Sequence, residues 1–318
     1  MSQAPKYISG EEVEKLLDLK ELLNSIETAL GNYSKGKDGG VVQPVRLVVP
    51  IEKHHGHLGV MPGYSSSDEA LATKIVAFYP ENKDLPTHQA WVLMQDPTNG
   101  SLNAIIDGVS ITSIRTGIAS AVATKHLANP NSRILALIGA GVQARSHFKA
   151  LSLLQSFDEV RIFSRTRASA QKLAKEIGKT AKVCSSVEEA VEDADIITTV
   201  SFATTPILKA EWVKPGAHIN AVGACRPDWR ELESRLMQES VVYCDSRDAC
   251  SQEAGDIILS ECDVFAEIGE VINGEKQALW EKTTIFKSVG MAIEDVLSAK
   301  IVYEKYMHQL KQDSEYPA

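Results

Sequence analysis

The stretch RILALIGAGVQARSHFKALSLL, residues 133–154, decides the fold of this 318-residue chain. A short apolar run ends at Ile138, the turn Gly139-Ala140-Gly141-Val142-Gln143-Ala144 follows, and a helical pattern begins at once. This is GxGxxA between a buried strand and a helix, the context in which the spacing signifies dinucleotide binding. Gly139 permits the tight turn, Gly141 lets the backbone approach a pyrophosphate, and Ala144 lets the helix sit close to the sheet. The first helix amides then face the phosphates.

Working outward, short β-rich runs recur at residues 133–138, 160–164, 196–200, 218–222 and 241–245, separated by helical segments such as RASAQKLAKEIG and ELESRLMQES. Strands alternating with helices predict a Rossmann-type, doubly wound parallel sheet. Upstream the rhythm differs. Apolar positions at helical spacing (Leu16, Leu17, Leu22, Leu23, Ile26, Leu30) give way to VVQPVRLVVPI, HLGVMPGYS, LATKIVAFY, HQAWVLMQD and LNAIIDG, which read as strands of an antiparallel sheet or open barrel. A connecting helix spans SITSIRTGIASAVATKHLA, and an amphipathic helix from Met291 to Leu310 is expected to pack back on the first domain. The expected domains are 1–115, completed by 290–318, and 116–289.

The end of the second Rossmann strand, Val160 to Arg167, indicates which dinucleotide binds. NAD sites place an acidic residue there for the ribose 2′-hydroxyl. Here Ser164, Arg165 and Thr166 offer a cation and two hydroxyls, suited to a 2′-phosphate. The expectation is NADP(H); the alternative is a solvated Arg165 in a relaxed NAD site.

Composition removes other classes of function. With 42 acidic and 33 basic residues the net charge is −9, and no basic block could follow a nucleic-acid backbone or an anionic membrane. The amino terminus lacks the order of a secretory signal and no apolar run reaches spanning length, which predicts a cytoplasmic protein with neither nucleic-acid nor membrane partner. Cys184, Cys225, Cys244, Cys250 and Cys262 include no CxxC pair and read as reduced, packed thiols, with no metal expected. His54-His55-Gly56-His57 reads as a hairpin tip.

Three cations remain to meet an anionic substrate: Arg46 in QPVRLVVP, Lys74 in LATKIVAF and Arg115 in SIRTG. Arg46 and Lys74 each interrupt an apolar strand, so each is either outward and solvated or inward and functional.

In order and spacing, GGVVQPVRLVVP, LGVMPGYS, TKIVAFYP, PTHQAWVL, SIRTGIASAVATK, IGAGVQARSH, SRTRASAQ, EWVKPGAHINAVGACRPDWREL and EKTTIFKSVGMAIED resemble the ornithine cyclodeaminase/mu-crystallin family over nearly the whole length. The resemblance implies a homodimer in which a substrate domain joins a Rossmann domain. It implies that Arg46 and Arg115 bind carboxylate and that Lys74 lies near the reacting carbon. Thr87, Arg115, Ala140, Val142, Gln143, Ser164, Arg165, Thr166, Val222 and Ser288 match cofactor-contacting positions, and Trp229 and Glu253 match positions near the substrate or hormone pocket. Glu253 is a candidate proton relay, against the alternative of an exposed helix residue.

Cyclodeaminases of the family carry a GDCPGKTEL-like segment whose aspartate relays protons. This chain reads Gly223-Ala224-Cys225-Arg226-Pro227-Asp228-Trp229-Arg230-Glu231-Leu232, and Ala224 accepts no proton. The implied activity is therefore NADPH-dependent reduction of the C=N bond of a cyclic ketimine carboxylate. Two alternatives stand beside it. One is NADPH-dependent binding of triiodothyronine, with Trp229 and Phe78 as aromatic walls; the other is cyclodeamination of ornithine.

Overall fold

The computed structural model describes residues 4–315; the termini that the domain expectation includes, residues 1–3 and 316–318, lie outside the described residues. Along the chain β1 (Lys6–Ile8), α1 (Gly10–Leu16) and α2 (Leu19–Ser34) precede β2 (Val41–Val42), β3 (Leu47–Ile51), β4 (Gly56–Ser65), β5 (Ala70–Phe78), β6 (His88–Gln95) and β7 (Leu102–Asp107). Then come α3 (Gly108–Leu127), β8 (Ile134–Ile138), α4 (Val142–Leu151), β9 (Glu159–Phe163), α5 (Arg167–Ile177), β10 (Ala181–Val183), α6 (Val187–Val191), β11 (Ile196–Thr199) and β12 (His218–Ala221). The remainder is α7 (Ser234–Glu239), β13 (Val241–Cys244), α8 (Arg247–Glu253), α9 (Gly255–Ser260), β14 (Ala266–Glu267), α10 (Ile268–Ile272), β15 (Thr284–Lys287) and α11 (Ala292–Glu315). The described residues form two compact units, 4–115 with 291–315, and 116–290.

The first unit is an open sheet in the order β1-β7-β6-β5-β4-β2, with β3 also paired to β4. Strand alternation puts Met61, Ala70, Ala72, Ala90, Val92, Met94, Ala104 and Ile106 on one buried face. The small residues there let α11 lie close, and Ile293, Val296, Leu297 and Val302 of that helix complete the core with Leu22, Ile26 and Leu30 of α2. Each large aliphatic side chain so buried stabilises by about 1.5–3 kcal/mol. The expected antiparallel sheet is present from β2 to β7 and does not close into a barrel. The edge strand β1 runs parallel to β7. Three residues are too few to show a period, so KYI gave no strand signal. The histidine cluster turns the antiparallel β3–β4 hairpin, with His55 in the left-handed region at φ 48°.

The second unit is an eight-stranded sheet in the order β10-β9-β8-β11-β12-β15-β13-β14, parallel throughout. Its first five members reproduce the 3-2-1-4-5 order of a doubly wound sheet, reversing direction at β8 and β11. The strands β10, β14 and β15 escaped the sequence reading. β10 and β14 are short, and β15 lies within EKTTIFKSVG, whose two lysines disguise a fully buried strand. Two further expectations are corrected. Arg46 lies in the loop before β3, since Pro44 ends the pairing of β2 early and sets that residue outside the ladder. Cys225 is exposed in the loop after β12, whereas Cys184, Cys244 and Cys250 are packed.

Candidate active site and dinucleotide turn

Lys74 sits in mid-strand on β5, between Met61 and Val92 of its neighbours. Period-two alternation assigns it the face of Ala70 and Ala72, so its ammonium is driven inside and the residue is only 3% exposed. A buried ammonium requires a partner. Asp295, in the first turn of α11, supplies it: its Oδ2 lies 2.6 Å from Lys74 Nζ. The same carboxylate accepts from Arg115 Nε at 3.1 Å, and Arg115 Nη1 donates to Glu294. Arg115, Glu294 and Asp295 are all buried. The cluster holds two cations against two anions, and the acidic pair also suits the positive end of the α11 dipole. Gln43 Oε1 accepts from the Ile293 amide at 2.8 Å and fixes that end of the helix.

Burial is the largest influence on Lys74, followed by the Arg115 charge. Asp295 opposes both and Arg46 adds to them, leaving the lysine pKa lowered from 10.5 to about 8. Arg46 is half-buried and within electrostatic reach of the ammonium. Glu294 and Asp295 were missed by the sequence reading because acids in a first helical turn ordinarily face water. The available signal was their setting in AIEDVLSA, a segment apolar on all sides, which marks a helix end buried all round.

In the second unit, Gly139 has φ 130°, and a Cβ there would lie 2.7 Å from the Val200 carbonyl oxygen, so only glycine fits. A Cβ on Gly141 would meet nothing within 4 Å, which leaves open space before the first amides of α4. Ala144 is fully buried, and Gln143 Oε1 is buried with no hydrogen-bond partner among the described residues. An open glycine face, a helix amino terminus without a side-chain cap and an unsatisfied polar atom beside them fit a dinucleotide pyrophosphate. Ser164 Oγ accepts from the Thr166 amide, and Arg165 and Thr166 are exposed at the start of α5. No carboxylate stands among residues 160–167.

The other expected residues are distributed as follows. Thr87 directly precedes β6, in the first unit. Val222 and Ala224 follow β12, with Ala224 fully buried, and Ser288 follows β15 with its hydroxyl donated to Asp245. Trp229 meets Phe202 edge-on at 6.0 Å in the second unit, whereas Phe78 stacks on His88 at 4.5 Å in the first. Glu253 is the last, half-buried residue of α8, and Asp228 is exposed.

A doubly wound sheet with this turn places the chain among the nicotinamide-dinucleotide-binding α/β proteins. The ornithine cyclodeaminase/mu-crystallin family model matches residues 5–309, and the chain belongs to that family. It is 55% identical to the ketimine reductase mu-crystallin of Rattus norvegicus over 96% of this chain and 99% of that protein. Among solved structures, the Thermococcus litoralis Delta(1)-pyrroline-2-carboxylate reductase in complex with NADH and L-proline has a TM-score of 0.91 at 37% identity, covering 96% of this chain and 98% of that one. An archaeal alanine dehydrogenase dimer with bound NAD has a TM-score of 0.89 at 33% identity, covering 96% and 97%.

Proposed function

We propose that this chain reduces the C=N bond of a cyclic ketimine carboxylate, with NADPH as its preferred donor. The observation that carries the reading is the buried Lys74–Asp295 pair, in which burial and the Arg115 charge lower the lysine pKa to about 8. Relatives named as ketimine and pyrroline-carboxylate reductases support the reaction class.

In this reading Gly139, Ala140, Gly141, Val142 and Gln143 hold the pyrophosphate, and Ser164, Arg165 and Thr166 hold the adenosine end. Thr87, Val222 and Ser288 provide further contacts. When bound, the dinucleotide would supply the hydride. Lys74 Nζ gives its proton to the imine nitrogen, which makes the adjacent carbon electrophilic; hydride addition to that carbon then yields the neutral secondary amine, and the lysine regains a proton from solvent. Arg46 holds the substrate carboxylate. Arg115, matched by Glu294 and Asp295, contributes mainly by lowering the lysine pKa. Because Lys74 must carry its proton, kcat/KM is expected to fall as pH rises through about 8. A profile flat across that range would remove the lysine from the proton's path.

Cofactor choice has its own test. Wild type should bind NADPH more tightly than NADH, and Arg165→Ala should weaken NADPH by roughly tenfold or more, the worth of one charged hydrogen bond, while sparing NADH. Equal titration of both dinucleotides by the wild type would overturn the preference. Homodimerisation belongs to the same proposal: the alanine dehydrogenase relative is a dimer, and β3 exposes Leu47, Val48 and Val49. Cyclodeamination is disfavoured by the buried methyl group of Ala224, which cannot relay a proton.

A further inference from the structure

We propose that Glu231 is a positioning residue that holds the nicotinamide side of the dinucleotide site, a proposal that rests on the dinucleotide reading above. Its carboxylate is fully buried at the carboxyl ends of the adjacent parallel strands β11 and β12. Oε2 accepts from Thr199 Oγ1 at 2.8 Å and from the Gly223 amide at 2.7 Å. Oε1 accepts from the Ser201 amide at 2.6 Å and from Ser201 Oγ at 2.7 Å. Four donors converge on one group, and because one backbone amide points at each oxygen, a carboxyl group satisfies the arrangement whereas a side-chain amide, whose nitrogen would face a backbone N–H, does not.

The backbone of the same residue is tied as firmly. The Glu231 amide donates to Asp256 Oδ1 at 2.8 Å, and its carbonyl accepts from Ile207 and Leu208 at 2.8 and 3.0 Å. Asp256 Oδ2 accepts from Lys287 Nζ at 3.0 Å, and Lys287 ends β15, the next strand of the sheet. Asp256 and Lys287 are also fully buried. Burial pushes the Glu231 pKa up and the Lys287 charge opposes it. At Gly223 a Cβ would stand 2.2 Å from the Ser201 carbonyl oxygen and 2.5 Å from Glu231 Oε1, so the two loops meet across the carboxylate with no room for a side chain.

Three buried charges are a costly way to stabilise a fold, since apolar side chains of the same volume serve as well or better. What these charges fix is the geometry of the loops that follow β11 and β12. In a doubly wound sheet the ligand lies across the carboxyl ends at the reversal between β8 and β11. With the adenosine end at β9, the loops after β11 and β12 fall to the nicotinamide. Val222 immediately precedes the amide that Glu231 holds.

The test compares wild-type and Glu231→Gln full-length chains by calorimetry with NADPH and with 2′-phospho-ADP-ribose, the same ligand without its nicotinamide. Fluorescence of the bound reduced nicotinamide is read in parallel. For the variant, NADPH affinity should fall about tenfold or more, while 2′-phospho-ADP-ribose stays within about twofold and the emission moves toward that of free NADPH. Thr199→Val, which removes a single donor and is milder on folding, should show the same selective pattern at smaller amplitude. A parallel loss for both ligands, or no loss for either, in the variants that fold would overturn the assignment. These measurements need no turnover, so a wild type that binds NADPH but reduces no ketimine sinks only the reaction. A wild type that binds neither these ligands nor NADH overturns the dinucleotide reading and this proposal together.

Discussion

Lys74→Met is expected to lower turnover by about 10²–10⁴-fold, the contribution of a positioned proton donor, while NADPH affinity stays close to wild type. Methionine nearly matches lysine in length and lacks its charge, so the change removes the proton and the hydrogen bond while filling most of the space. Lys74 is not among the residues proposed to hold the dinucleotide, which is why binding and chemistry should separate. Some stability is lost as well: Asp295 keeps Arg115 but loses the ammonium 2.6 Å away. Turnover is therefore to be measured well below the variant's own melting point. Reduction of a cyclic ketimine at the parental rate by folded Lys74→Met would exclude the lysine from the chemistry.

The turn at Gly139 was legible because a local pattern dictates a local backbone: a residue at φ 130° against the Val200 carbonyl oxygen has to be glycine. The long strands β4 to β7 were legible by alternation, and α11 by its period. Lys74 was visible as a charge in an apolar strand, yet which way it pointed depended on the register of that strand. Its partner Asp295 lies 221 residues away in sequence, from position 74 to position 295, beyond any local period. Glu231 was quoted within a family segment, but its four donors come from two other segments of the chain, Thr199 to Ser201 and Gly223. Pairings of this kind are created when the sheet closes. No spacing in the sequence encodes them.

The dependence of Lys74 on Asp295 leads to the second large effect. Asp295→Asn removes the charge that faces both Lys74 and Arg115, and breaking a buried pair of this kind should cost about 3–5 kcal/mol of stability near neutral pH. Asp295 is also the group that holds the lysine pKa up against burial and Arg115. Without it the folded-state pKa falls below about 8, so the alkaline limb of kcat/KM should move to lower pH. Stability carries the same sign. A lysine whose folded pKa is depressed binds fewer protons folded than unfolded, so stability rises with pH between the folded value and the ordinary 10.5. The deficit of Asp295→Asn relative to wild type should therefore be smaller at about pH 9.5 than at about pH 7, because a neutral amine no longer needs its counter-charge. The double variant Lys74→Met with Asp295→Asn should lose less stability than the two single losses added, since each single change strands the other's charge. Denaturant midpoints at the two pH values and a pH–rate profile measure all of this. Additive losses with the limb still at about 8 would show that the two side chains are neighbours without electrostatic coupling, and that another group sets the pH dependence.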